Sequence, residues 1–171
     1  MDLQLVTSTG NTATLNSTGT ITLRNLLNGA SGVTVNAGAD GTGHLTMDAL
    51  ASIETASGST ALTSGQIMTL AKILATSGGI SGVAGTDLNV INTLSAGAGG
   101  VVLTANDHLS MLAGSQAKAT GAGAATLTAG ADGIGGALLM APDALVQTFT
   151  GEITLTSRED GLLGRATSTG G

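Results

Sequence analysis

The sequence predicts an all-β fold, a parallel β-helix (β-solenoid) of about eight rungs, on three observations. Short apolar–polar–apolar triplets recur along the whole chain, each with turn formers within a few residues. The composition is uniform and built from small residues: Gly 28, Ala 26, Thr 27 and Ser 14 make 95 of 171, against one aromatic, Phe149. Part of the chain is repeated 92 residues later. Sandwiches and barrels use longer strands and draw much of their burial from aromatic rings. A narrow coil crossed by Leu, Ile, Val, Ala and Met does not need them. At about 20 residues per rung and about 4.8 Å between rungs, the chain makes a rod about 40 Å long.

The triplets justify the strands in order. They are Leu3-Gln-Leu5, Ala13-Thr-Leu15, Ile21-Thr-Leu23, Val33-Thr-Val35, Leu45-Thr-Met47, Leu88-Asn-Val90, Leu109-Ser-Met111, Ala125-Thr-Leu127 and Ile153-Thr-Leu155. Period-2 alternation sends the outer two residues inward and the centre, usually Thr, outward. Gly and Asn between triplets suit corners, because both tolerate positive φ. Gln66–Ala75 fits a helical face at 67, 70, 71 and 74, and fits two strands about as well. Ten residues is marginal for a helix and the flanks are strand-like. The segment therefore reads as strands, with Met68 and Leu70 inward, then Ile73 and Ala75. Pro cannot donate to a ladder, and the single Pro142 is consistent with continuous strand pairing.

The longer repeat aligns Gly29–Gly43 with Gly121–Gly135, both carrying Asn/Thr-Ala-Gly-Ala-Asp-Gly. After one inserted residue, Leu45-Thr-Met47 falls on Leu138-Leu-Met140, Ile53 on Val146 and Thr55 on Thr148. Ala61-Leu-Thr-Ser64 falls on Thr154-Leu-Thr-Ser157. The domain expectation is thus one solenoid over 1–171 with an internal duplication, about 29–66 matching 121–159.

Composition also bounds function. With 42% hydrophobic and 9% charged residues, the chain is too apolar for a disordered segment. Without Cys there is no disulfide framework and no Cys-ligated zinc or iron–sulfur site. Five basic residues and one aromatic argue against nucleic-acid binding. No run approaches the length of an apolar membrane span, so no membrane insertion is expected. The N-terminus has neither the basic region nor the apolar run of a signal peptide, and both ends read as cuts through a longer protein.

Val101-Val-Leu-Thr-Ala-Asn-Asp-His-Leu-Ser-Met111, Ala124-Ala-Thr-Leu-Thr-Ala-Gly-Ala-Asp132 and Gly151-Glu-Ile-Thr-Leu-Thr-Ser157 carry a texture that covers nearly the whole chain. It resembles the repeat region of filamentous-haemagglutinin-like adhesins, and more broadly bacterial exoproteins of the two-partner secretion and autotransporter type. The resemblance implies a right-handed parallel β-helix, secreted to the bacterial cell surface. It also implies an outer-membrane secretion partner, and a host-cell or cell-surface receptor engaged through other regions. The family's secretion domain is not visible in this stretch.

Few residues suggest chemistry. Asp40 and Asp132 sit in Gly-Ala-Asp-Gly, too sparse for a calcium site needing six to eight oxygens, and read as Asx turns. His44, His108 and Asp107 lack a nucleophile elbow and further ligands, and read as surface residues. Arg158, Glu159, Asp160 and Arg165 form the densest charge cluster and read as a solvated loop. Gly97-Ala-Gly-Gly100 lacks the Lys and the strand–helix setting of a phosphate loop. The Thr-x-Thr pairs Thr7/Thr9, Thr12/Thr14, Thr18/Thr20, Thr126/Thr128 and Thr154/Thr156 suggest water-organising ladders, but their uneven spacing argues against one flat Thr face. No catalytic, cofactor-binding or metal-binding residue is expected. The functional expectation is a structural and adhesive shaft segment, not an enzyme. The alternatives are a β-helix polysaccharide-active enzyme or an ice-binding solenoid.

Overall fold

The computed structural model describes residues 1–170. Apolar triplets too short to span a sandwich form strands of two to five residues, and the chain coils them into a β-solenoid of about eight turns with no helix among the described residues. All strand pairs are parallel and stack three faces. Face A has seven strands: Asp2–Leu3, Ile21–Leu23, Leu45–Met47, Met68–Leu70, Leu88–Val90, Leu109–Met111 and Leu138–Met140. Face B has eight: Val6–Ser8, Leu26–Gly29, Ser52–Thr55, Lys72–Ala75, Thr93–Ala96, Gln116–Ala119, Leu145–Thr148 and Arg165–Ser168. Face C has seven: Ala13–Ser17, Val33–Ala37, Thr60–Ser64, Ile80–Ala84, Val101–Ala105, Ala125–Thr128 and Ile153–Thr156.

Each rung visits A, B and C in turn, so identical positions stack and the core is a set of ladders. Ile21, Leu45, Met68, Leu88, Leu109 and Leu138 are paired in sequence along face A, all buried. Leu27, Ile53, Ile73 and Leu94 do the same on face B. Val35, Leu62, Leu103 and Leu127 lie in one inward column of face C. That column is interrupted by Gly82, where a Cβ would sit 3.1 Å from Leu103 Cδ2 and 3.3 Å from Met68 Sδ. The longer Met thioether therefore fills the volume that Gly82 vacates. A fully buried aliphatic side chain contributes about 1.5–3 kcal/mol, and ladders of them replace the missing aromatics.

Gln66–Ala75 divides into the strands Met68–Leu70 and Lys72–Ala75, with Met68, Leu70, Ile73 and Ala75 buried as the alternation predicts. The first triplet differs. Leu3 pairs with inward Leu23, so Leu5 falls past the strand and is 64% exposed. Face A strands present only two inward positions, and the register places Leu3 in the second. Thr is not always outward either: Thr55, Thr60 and Thr148 are buried.

Rung length varies, and the excess goes into corners. Along one face C column the step is 20 residues from Ala13 to Val33, 27 to Thr60, 20 to Ile80 and 28 from Ala125 to Ile153. The ladder itself keeps its register. At the A–B corner, longer rungs close with a turn such as Ala141–Ala144, where Ala144 N–H donates to the Ala141 carbonyl at 2.9 Å. Pro142 occupies the second position of that turn, where its fixed φ is suited and no ladder bond is lost.

Corner glycines serve close approach more than positive φ. Among the described residues every positive-φ residue is a glycine, nine in all, and no Asn adopts that region. At the B–C corner, a Cβ on Gly58, Gly78, Gly99, Gly123 or Gly151 would collide with the backbone of the rung beneath. Asn16 and Asn36 instead point outward from face C strands, where Asn36 Nδ2 donates to Asn16 Oδ1 at 2.7 Å.

The 92-residue repeat occupies equivalent places four rungs apart. Val33–Ala37 and Ala125–Thr128 lie on face C, and Ser52–Thr55 and Leu145–Thr148 on face B. The loops that follow the face C strands share their backbone: Gly38 and Gly130 have φ of 70° and 71°, Gly41 and Gly133 of 88° and 89°. Side-chain bonds are shared as well. Thr55 and Thr148 hydroxyls donate to the carbonyls of Gly58 and Gly151, and Ser64 and Ser157 hydroxyls to those of Gln66 and Glu159.

Candidate functional site

Asp40, Asp132, His44, Asp107 and His108 lie at the C–A corner, at different levels of the rod. Asp40 Oδ1 accepts from Thr42 N–H at 3.0 Å and Thr42 Oγ1–H at 2.7 Å, and Asp132 Oδ1 accepts from Ile134 N–H at 2.9 Å. Both are Asx turns closing the longer corner loops. The Thr42 hydroxyl and then its backbone N–H hold the Asp40 carboxyl below its ordinary value. The two aspartates are four rungs apart, about 19 Å, and cannot share a cation.

His44 and His108 occupy one column just before face A strands, three rungs or about 14 Å apart. They act as corner acceptors. His44 Nδ1 accepts Ile67 N–H at 3.3 Å, and His108 Nδ1 accepts Ala137 N–H at 3.0 Å. These bonds assign the neutral tautomer with the proton on Nε2. Thr20 Oγ1 accepts His44 N–H and Asp87 Oδ1 accepts His108 N–H in the same manner, at 3.3 and 3.2 Å. Asp87, one rung below, is thus the acid bonded to His108; Asp107, its sequence neighbour, donates its own N–H to the Thr86 carbonyl. The relation between Asp87 and His108 spans a 21-residue rung step, which local sequence spacing does not reveal.

Arg158, Glu159 and Asp160 are exposed beside the 129–137 loop. The N–H groups of Arg158 and Glu159 both donate to the Gly136 carbonyl at 3.2 Å, and the Arg158 side chain lies against Gly130 and Gly133. Arg165 is on face B, so the sequence cluster is divided between faces. Gly97–Gly100 forms a B–C corner, with Gly100 N–H bonded to the Gly97 carbonyl at 3.3 Å. Among the described residues no group of three or more His, Asp or Glu is placed to share a metal ion.

Surface ion pairs are few. Arg24 Nε lies 2.8 Å from Asp2 and its Nη1 3.3 Å from Asp48; Lys72 Nζ is 3.7 Å from Glu54. Arg24 is raised above its ordinary value chiefly by its hydrogen bond to Asp2. Such exposed pairs add little to stability, since solvent and salt screen them. A shallow groove of about 200 Å³ at the B–C corner is lined by Lys118, Thr120, Gln147 and Phe149, the last 54% exposed.

Face C gathers more Thr than the uneven spacing suggests, although neither outward column is all Thr: Ala61, Ser81 and Val102 interrupt one, and Asn16, Asn36 and Val83 the other. Thr14, Thr34, Thr126 and Thr154 fall in one outward column, and Thr63, Thr104, Thr128 and Thr156 in the other. Corner loops absorb the irregular spacing, so residues 20 to 28 apart in sequence become lattice neighbours. Of the Thr-x-Thr pairs, Thr126/Thr128 and Thr154/Thr156 share an outward strand face.

No protein-family model, curated protein or solved structure matches the chain. No helix of the described residues is long and apolar enough to cross a membrane.

Proposed function

We propose that the chain is a structural and adhesive shaft segment of a large secreted bacterial surface protein. One observation carries this reading: three unbroken parallel ladders run along the rod, and the segment 29–66 recurs four rungs later as 121–159 on the same faces. Parallel rungs hydrogen-bond only to their neighbours, so such a rod lengthens by insertion of whole rungs without rebuilding its core. Stiffness and reach are then the working properties, and binding to a host-cell or cell-surface receptor belongs to regions carried at its tip. The resemblance to haemagglutinin-like repeats supports export through an outer-membrane partner to the cell surface.

The test is to display the chain on a bacterial surface with a distal epitope and to insert a second copy of residues 29–120, the four-rung period of the repeat. The reading expects the epitope to move outward by about 19 Å, four rungs at about 4.8 Å. An unchanged epitope distance contradicts it, as does cleavage of polysaccharides by the purified chain.

A further inference from the structure

We propose that the outer surface of face C binds ice. Its seven strands present fourteen outward positions: eight Thr, two Val, two Asn, one Ala and one Ser. None is charged, although the chain carries 16 charged residues; those lie on face B, at the start of face A and at the corners. The pairing runs from Ala13 to Ile153 without a slip, so the outward side chains form a grid. Its repeat is about 4.8 Å along the rod and about 6.6 Å across it.

That combination selects a neutral, rigid, periodic partner. Each Thr offers one methyl and one hydroxyl on a β-branched stem with little χ1 freedom, so both groups are held in place at little further entropic cost. Rows of methyls confine a water layer between them, and the hydroxyls anchor it by hydrogen bonds. A charged side chain would instead hold its own hydration shell out of lattice order. Asn36 bonded to Asn16 fixes the amide ladder at one end of the grid. Other occupants fit less well. The face measures about 29 by 16 Å, or about 500 Å², below the about 800 Å² per partner of a stable protein interface. A flat carbohydrate surface calls for exposed aromatic rings, and the one aromatic, Phe149, follows a face B strand.

The test uses the full chain, fluorescently labelled, in slowly grown polycrystalline ice. The expected result is several-fold enrichment of the chain in the ice fraction over an inert globular protein. Thr126→Lys and Thr63→Lys, made separately, should each abolish most of that enrichment. Ser95→Lys on face B should leave it unchanged. Circular dichroism and melting curves establish which variants remain folded, and either folded Lys variant on face C suffices. Exclusion of the wild-type chain from ice overturns the proposal. So does enrichment that survives a folded face C variant. A dimer in light scattering that Thr126→Lys dissolves overturns it in favour of docking between copies.

Discussion

The imidazole Nδ1 of His108 accepts the backbone N–H of Ala137 at 3.0 Å, tying two corners together across a 29-residue step, one of the longest in the rod. The imidazole here does the work of a corner cap. His108→Ala leaves that N–H, on a buried residue, without its acceptor and should cost about 1–3 kcal/mol. His108→Asn, which restores a short side-chain acceptor, should recover part of it. Urea titration of the three proteins measures this; equal midpoints for wild type and His108→Ala contradict the capping role.

Thr60 stands in an inward column between Val33 and Ile80, and its buried hydroxyl has no partner. Thr60→Val keeps the branched shape and removes the orphaned group. The expected outcome is a gain of about 1 kcal/mol, seen as a higher denaturation midpoint. A loss of stability would show that the hydroxyl is satisfied in solution.

Two glycine substitutions should part company. A Cβ on Gly78 meets the backbone of Gly58 and Ser59 in the rung beneath, whereas a Cβ on Gly10 meets nothing within 4 Å. Gly78→Ala should destabilise by about 1–3 kcal/mol through overpacking. Gly10→Ala should be neutral or stabilise by up to about 1 kcal/mol through the unfolded chain. Melting temperatures decide it, and equal effects would remove the case for glycine-mediated rung contact.

Asp40 titrates below the ordinary 3.8 because Thr42 donates two hydrogen bonds to its carboxylate. A depressed folded value means the stabilising contribution is present above about pH 3.8 and is lost as pH falls through that folded value. The carboxylate is exposed, so the global effect is small and the local titration is the readout. Carboxyl NMR should place the Asp40 midpoint below 3.8, and Thr42→Val should move it upward. No movement in Thr42→Val would mean the turn is not formed as described.

Much of the fold was legible because alternation is a local property. Met68, Leu70, Ile73 and Ala75 face inward as their spacing implies, and the repeated Gly-Ala-Asp-Gly forms the same Asx turn twice. Rung register was not legible. Leu5 looks like a strand residue in its triplet, yet its place is decided by Leu3 stacking with Leu23. The contact between Asp87 and His108 and the two Thr columns of face C have the same origin. They join residues one rung apart, and rung lengths vary with corner loops that local pattern does not count. Propensity offers Asn as well as Gly for positive φ, yet every positive-φ residue described is Gly, while at the B–C corners it is the close approach of the rung beneath that selects Gly.

Successive face C strands stack in register, one rung at a time. Pulsed electron paramagnetic resonance on pairs of spin labels measures that stacking, since the chain has no native Cys to compete with the labelling sites. Pairs anchored at Thr34 and placed at Ser81, Val102, Thr126 or Thr154 are two, three, four and five rungs away. The stacked solenoid requires the distance to rise by about 4.8 Å with each rung, to about 24 Å at Thr154. Distances that fail to rise in that order would contradict it.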